Sequence, residues 1–164
     1  MKKKYGIIGN PIKHSLSPIL HNYWFRKYEI DANYSIIDVK ESEISEIIKK
    51  LKNEDFSGIN ITLPYKQKIV PHLSQIVNDA LITSSVNTVY LDDKKLLIGE
   101  NTDVFGLQAA YLKEVDNFSN KKTLVIGAGG VSPSVILALQ KSGVKDISII
   151  NRTKEKCIFL KKKF

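Results

Sequence analysis

The segment Thr123-Leu124-Val125-Ile126-Gly127-Ala128-Gly129-Gly130-Val131-Ser132 constrains the fold more than any other stretch of this chain. A short apolar run breaks into glycines and then into residues at helical spacing. A dinucleotide-binding βαβ unit begins this way. The glycines permit a tight turn and close approach of a pyrophosphate, and the helix N-terminus offers N–H groups that lack intrahelical partners. Standing alone, Gly127-x-Gly129-x-x-Ser132 is equally an ordinary strand-to-helix turn, with a small residue in place of the third glycine. Its surroundings favour the nucleotide reading. Val135, Leu139 and Val144 continue an apolar helix face, and Gly143 suits the helix C-cap. Pro133 suits the first turn, where a missing N–H costs nothing. Residues 147–150, Ile-Ser-Ile-Ile, read as a second, buried parallel strand.

The end of that second strand bears on the cofactor. An NAD site carries Asp or Glu there, about 20 residues beyond the first glycine, to bond the ribose 2′-hydroxyl. This chain has Asn151-Arg152-Thr153-Lys154-Glu155-Lys156 and no acid at the strand end. Arg152 and Lys156 are suited to a 2′-phosphate, and an arginine also stacks on an adenine face. The bland alternative is a solvated helix start in a lysine-rich protein. The phosphate reading is preferred because Asn151-Arg152-Thr153 stands where the ribose should be, which makes NADP the expected cofactor. Its expected contacts are Gly127, Ala128, Gly129, Gly130 and Val131 of the loop, then Asn151 through Lys156.

At 164 residues, 43% of them hydrophobic, the chain can bury a core in one domain, or in one small domain and part of another. A single cysteine, Cys157, excludes an internal disulfide framework and suits a reducing cytoplasm. No apolar run approaches a membrane span, and the N-terminus lacks a signal peptide's apolar core. The formal charge of +8 raises a nucleic-acid reading, but the lysines are scattered and not interleaved with aromatics. A basic surface also attracts anionic small molecules.

The first hundred residues alternate strand and helix. Residues 5–8 read as a strand, and a helix follows Ser17-Pro18 with Ile19, Leu20, Tyr23, Trp24 and Tyr28 as an apolar stripe. Residues 34–39 form the next strand. Ile44, Ile47, Ile48 and Leu51 mark a helix, and residues 58–62 a third strand. Residues 87–91 and 95–98 suggest a hairpin around Asp92-Asp93. From Val104, the residues Leu107, Tyr111, Leu112 and Val115 outline a linking helix. The fold class is α/β: an N-terminal mostly parallel sheet with flanking helices, then an incomplete Rossmann-type domain. The expected parts are a first α/β domain over residues 1–103, a linking helix over 104–120, and the start of an NADP-binding domain over 121–164.

In such sheets, ligands gather at the carboxyl ends of strands. Ser15 and Ser17, Thr62 and Lys66, and Asn101 and Asp103 are the polar residues there. Each has a structural alternative: Ser17 as a helix N-cap, Asp103 as a cap for a helix starting at Val104, Asn87 as the opening of a strand. Lys66 follows Thr62-Leu63-Pro64-Tyr65, where Pro64 starts a turn or helix. In a helix's first turn, the dipole would favour a neutral lysine and bring it toward a catalytic range. A carboxylate such as Asp103 would orient it. The alternative is one exposed lysine among many.

Gly9-Asn10-Pro11-Ile12-Lys13-His14-Ser15-Leu16-Ser17-Pro18 resembles the N-terminal signature of the shikimate dehydrogenase family. Asn60-Ile61-Thr62-Leu63-Pro64-Tyr65-Lys66, Val86-Asn87-Thr88 and Gly99-Glu100-Asn101-Thr102-Asp103 resemble its next three motifs, in order. Gly127-Ala128-Gly129-Gly130 and Asn151-Arg152-Thr153 complete the set, which covers essentially the whole chain. The resemblance implies reversible, NADP-dependent reduction of 3-dehydroshikimate to shikimate, in chorismate and aromatic amino acid biosynthesis. It implies that Ser15 and Ser17 bind the substrate carboxylate and that Thr62, Asn87 and Asp103 hold ring hydroxyls. Lys66 would be the acid/base group and Asp103 its partner. His14 is read as structural or solvated. The implied partner is the small-molecule substrate, with no nucleic acid, membrane or metal, and with a homodimer left open.

This chain departs from the family pattern in two places. Pro133 stands where many relatives carry Arg or Lys, and the chain stops before the nucleotide domain of the family would be complete. The expectation is therefore a truncated chain with weak or absent turnover. The alternatives are a quinate/shikimate dehydrogenase, which an acid after the second strand would favour, and a non-catalytic shikimate-binding fragment.

Overall fold

The computed structural model describes residues 2–114, 118 and 121–164. The chain divides into two compact units: Met1–Val77 with Val86–Glu100, and Asn78–Ser85 with Asn101–Phe164.

The first unit is built on a six-stranded sheet whose strands lie in the order Ala32–Asp38, Lys3–Gly9, Gly58–Ile61, Thr88–Leu91, Leu97–Glu100 and Gln75–Ile76. Strand β1 (Lys3–Gly9) runs parallel to β2 (Ala32–Asp38) on one side and to β3 (Gly58–Ile61) on the other. Parallel neighbours need crossovers, and helices α1 (Ser17–Lys27) and α2 (Ile44–Lys52) supply them. The expected hairpin is present: β5 (Thr88–Leu91) pairs antiparallel with β3 and with β6 (Leu97–Glu100). Asp92 closes its turn by accepting the N–H groups of Lys94 and Leu96. A short strand β4 (Gln75–Ile76) runs parallel to β6 at the edge. All the apolar positions read for α2 are buried, namely Ile44, Ile47, Ile48 and Leu51.

Helix α1 corrects the sequence reading. No residue of α1 is buried, and Ile19, Leu20, Tyr23, Trp24 and Tyr28 of the expected stripe are all exposed. The docking face is the one containing His21, Asn22 and Phe25. Asn22 accepts the Tyr34 N–H at 2.9 Å and donates to the Tyr34 carbonyl at 2.7 Å, so it serves both backbone groups of one β2 residue. His21 stacks on the Tyr34 ring at 4.2 Å between centroids, and Phe25 meets Tyr5 at 5.7 Å. Side-chain size in a helical stripe does not identify the docking face when a short polar side chain satisfies strand backbone groups.

The second unit holds α3 (Asp79–Thr83), α4 (Asp103–Ala110), β7 (Lys122–Ile126), α5 (Ser132–Lys141), β8 (Asp146–Ile150) and α6 (Lys154–Lys163). Strands β7 and β8 pair in parallel, Ile126 opposite Ile150. Val125, Ile136, Leu139, Val144 and Leu160 form the core between this pair and its helices. Gly143, at φ +91°, follows the last turn of α5 as expected of a C-terminal glycine.

The reading of β8 as a buried strand is corrected. Its residues alternate between exposed and half-buried, because helices cover only one face of the pair. The linking helix is also shorter than expected. α4 ends at Ala110, and a single 3-10 turn over Leu112–Glu114 follows within the second unit. In a continuing α-helix Tyr111 would follow Leu107 onto the core. The break leaves Tyr111 exposed and lets Leu112 pack on Val104, Leu137 and Ala138 instead. Val115, read as part of that helix, lies outside the described residues. Among the described residues no helix is long and apolar enough to cross a membrane.

Candidate functional site

In the first unit, the carboxyl ends of β1 and β3 are joined. Thr62 donates its N–H to Ile8 at 2.9 Å, and Asn10 donates to the Leu63 carbonyl at 3.1 Å. Gly9 allows this approach: a Cβ there would lie 2.6 Å from the Thr62 methyl and 3.0 Å from the Leu63 oxygen. Asn87 joins the same end, accepting the Ile61 N–H at 2.8 Å and donating its own N–H to Glu100 at 3.0 Å. The Lys66 carbonyl accepts the Val86 N–H at 2.8 Å. Backbone hydrogen bonds therefore gather Thr62, Lys66 and Asn87 within one unit, although Lys66 and Asn87 are about twenty residues apart in sequence.

Lys66 lies in a run of hydrogen-bonded turns, which corrects the helical alternative. Tyr65 donates to Thr62 and Ile69 to Tyr65, with no α-helix over these residues. The helix-dipole argument therefore does not reach Lys66. The turn is anchored by buried Tyr65, whose hydroxyl donates to the Val39 carbonyl at 2.8 Å, and by the ion pair of Lys68 with Glu41. Burial pushes the Tyr65 hydroxyl above its ordinary pKa, and Glu41 adds to that shift while Lys68 opposes it.

Ser17 is the first residue of α1 and not its N-cap. Ser15 does the local work, its hydroxyl accepting the Ser17 N–H at 3.3 Å. Both serines are half-buried, and His14 is exposed.

Sequence reasoning passed over Asn60 and Tyr34. The Tyr34 hydroxyl donates to Asn60 Oδ1 at 2.7 Å. Asn60 Nδ2 donates to the Asn87 carbonyl and to Thr88 Oγ1, each at 3.1 Å, and Thr88 donates to Asn87 Oδ1 at 3.0 Å. Asn87 is thus braced from two sides. A polar residue inside the buried run Gly58–Ile61 was the available signal. Burial raises the Tyr34 hydroxyl pKa and lowers that of His21 stacked on it.

In the second unit, the paired ends of β7 and β8 bring the glycine loop and residues 151–156 to one edge. Gly127, at φ +108°, needs the freedom of glycine. Its N–H donates to Ile150 at 2.7 Å. Ser132, in the third-glycine position, braces the loop: its hydroxyl donates to the Gly127 carbonyl at 3.0 Å and accepts the Gly129 N–H at 2.9 Å. Asn151 accepts the Ala128 N–H at 3.1 Å and donates to Thr153 at 2.9 Å, so its side chain shapes the loop. Cβ atoms at Gly127, Gly129 or Gly130 would meet nothing within 4 Å. Internal packing therefore does not demand glycine at these positions, and a ligand backbone has room to approach. Val131 is the N-cap of α5, and Thr153 that of α6. Arg152, Lys154, Glu155 and Lys156 are all exposed beside this edge. Three cations and one acid there suit a phosphorylated ribose. The residues present fit NADP: the loop for its pyrophosphate, Arg152 and the lysines for a 2′-phosphate.

Asp103 is the first residue of α4. It is not the cap: Thr102 holds that position, and Asn101 Oδ1 accepts the Asp103 N–H at 3.0 Å. Among the described residues no cluster of His, Cys, Asp and Glu is placed to hold a metal ion.

Comparison with known proteins extends this description. Residues 7–89 match the shikimate dehydrogenase substrate binding domain, and residues 109–164 match the shikimate / quinate 5-dehydrogenase family model. A shikimate dehydrogenase (NADP(+)) from Pelagibacter ubique is 48% identical over this whole chain, which spans 62% of that relative's length. The crystal structure of shikimate dehydrogenase from Aquifex aeolicus superposes with a TM-score of 0.92 at 37% identity, over 99% of this chain and 60% of the other. That from Thermus thermophilus, solved with NADP(H) and shikimate, gives 0.88 at 28% identity, over 98% and 60%. With one model covering half the chain and a second most of the rest, the chain belongs to the shikimate dehydrogenase family.

Proposed function

We propose that this chain carries the substrate-binding residues and the first cofactor contacts of an enzyme that reversibly reduces 3-dehydroshikimate to shikimate with NADPH, in the cytoplasm. The gathering of Thr62, Lys66 and Asn87 at one strand end supports this reading most directly. Ser15 and Ser17 bind the substrate carboxylate, and Thr62, Asn87 and Asp103 hold the ring hydroxyls. NADPH, when bound, supplies the hydride. Lys66 gives a proton to the oxygen that becomes the alkoxide, and its cation stabilises the charge developing there. In the oxidative direction Lys66 takes the hydroxyl proton, and Asp103 is the carboxylate that orients it. Gly127, Ala128, Gly129, Gly130 and Val131 hold the pyrophosphate, and residues 151–156 the adenosine ribose phosphate. Exposed cations beside β8, with no acid at its end, favour NADP over NAD and shikimate over the quinate-type alternative. The functional division is a substrate part over residues 1–103, a link over 104–120, and a cofactor part from 121.

Mixing the chain with 3-dehydroshikimate and NADPH and following nicotinamide absorbance tests the reaction; separate titrations with shikimate and NADPH test each half. Shikimate binding without NADPH binding selects the non-catalytic fragment reading, and binding of neither rejects the proposal. In a chain that turns over, Lys66→Ala lowers kcat by about 10²–10⁴-fold while NADP affinity holds, in line with the worth of a positioned acid/base group. An active Lys66→Ala variant removes the lysine from the mechanism.

A further inference from the structure

Four buried polar side chains meet in the second unit, outside the residues assigned above. Asn101 is only 4% exposed, and Thr83, Ser85 and Ser134 are buried with it. Asn101 Nδ2 lies 2.7 Å from the Ser85 carbonyl, 2.9 Å from Ser134 Oγ and 3.1 Å from Thr83 Oγ1. Its Oδ1 accepts the Asp103 N–H at 3.0 Å. The Ser85 hydroxyl donates to the Gly130 carbonyl at 3.1 Å, so the same cluster reaches the glycine loop.

This arrangement fixes both the identity and the orientation of the side chain. The Asp103 N–H can only donate and the Ser85 carbonyl can only accept. A carboxamide placed with oxygen toward the first and nitrogen toward the second satisfies both. An aspartate would set a charged oxygen against the Ser85 carbonyl in a buried site, and an apolar residue would leave both groups unpaired. The oxygen that accepts the Asp103 N–H at the start of α4 is therefore held from behind by Thr83, Ser85 and Ser134, and is not free to follow the solvent.

We infer that Asn101 is a positioning residue: its carboxamide, locked by Ser85, Ser134 and Thr83, holds the backbone of Asp103 and so sets where that carboxylate stands for substrate. This rests on the role proposed for Asp103. Asn101 is among the polar strand-end residues, but the family resemblance gives it no contact with substrate or cofactor.

The test uses the whole 164-residue chain and four proteins beside wild type: Asn101→Asp, Asp103→Ala, the double variant, and Ser134→Ala. Calorimetry gives shikimate affinity, and NMR gives exchange at the Asp103 amide. Asn101→Asp weakens shikimate binding about tenfold, the scale of one lost buried hydrogen bond. In the Asp103→Ala background the same change adds less than about twofold, because the effect passes through Asp103. A general structural role would instead give the full loss in both backgrounds, and that result overturns the proposal, as does an Asn101→Asp chain that binds like wild type. If Asp103→Ala binds shikimate normally, the carboxylate's assigned role fails and the positioning claim falls with it. If wild type binds no shikimate, the proposed function fails by itself, and amide exchange decides the structural half: Asn101→Asp speeds exchange at Asp103 about tenfold, and an unchanged rate overturns the inference. Should Asn101→Asp not fold, Ser134→Ala removes one of the carboxamide's partners. It then gives a smaller rise in Asp103 exchange and a smaller loss of affinity, and no change in either overturns the inference.

Discussion

Ile7-Ile8-Gly9 and Val125-Ile126-Gly127 are nearly the same words, each closing a parallel strand, one in each unit. Their surroundings are opposite. Ile8 is 0% exposed, and Ile126 is 81% exposed. A Cβ at Gly9 would strike Thr62, whereas one at Gly127 would meet nothing, although φ +108° still calls for glycine. In the first unit, strand-end glycine is an internal requirement that brings Thr62 against β1. In the second, a Cβ on any of the loop glycines would meet only open space. The same motif thus meets packed neighbours in one place and open space in the other.

Paired substitutions test that contrast. The largest effect belongs to Ile8→Ala, which lowers unfolding free energy by about 2–5 kcal/mol, while Ile126→Ala stays within about 0.5 kcal/mol. Urea titration of both variants measures the gap, and equal losses would break the comparison. Next in size, Gly9→Ala costs about 1–3 kcal/mol, because the Leu63 oxygen belongs to backbone that must shift. Gly129→Ala leaves stability within about 0.5 kcal/mol but weakens NADP binding. A stable Gly9→Ala chain, or unchanged NADP affinity in Gly129→Ala, would remove the distinction between the two kinds of glycine.

The smallest effect is on pH. All three histidines, His14, His21 and His72, lie in the first unit. Burial holds His21 below its ordinary value of 6.5. The unfolded chain therefore takes up this proton at a higher pH than the folded one. Its contribution is fully present above about pH 6.5 and is lost as pH falls from there through the folded pKa. A probe of the first unit should show a lower unfolding midpoint at about pH 5.5 than at about pH 7.5, and His21→Phe should narrow that difference. A difference that survives the substitution would assign the pH response to other groups.

Much of the fold was legible because its signals are local. The α2 stripe, the hairpin at Asp92, and the glycine loop between β7 and α5 each depend on spacing within a few residues. The misread elements depend on distant partners. Nothing in the α1 sequence shows that Asn22 will serve both backbone groups of Tyr34 and leave Trp24 outside. Nothing in residues 147–150 shows that only one face of β8 is covered. Tyr111 and Leu112 are equally apolar candidates until Val104 and Leu137 define where the core lies.

The candidate site divides in the same way. Polar residues at strand ends singled out Ser15, Ser17, Thr62, Lys66, Asn101 and Asp103, the charge of residues 151–156 singled out the run after β8, and the resemblance to the family added Asn87. What holds those residues could not be read from the sequence. The bracing of Asn87 by Asn60, and of the Asn101 carboxamide by Thr83, Ser85 and Ser134, joins positions far apart in the chain. The sequence by itself determined the alternation of strands and helices, the glycine loop and the list of chemical groups, since each is set by neighbouring residues. Only the tertiary structure decided which apolar faces are buried, which glycines are packed, and which amides brace Asn87 and Asp103. Those outcomes depend on what each residue meets after the chain has closed on itself.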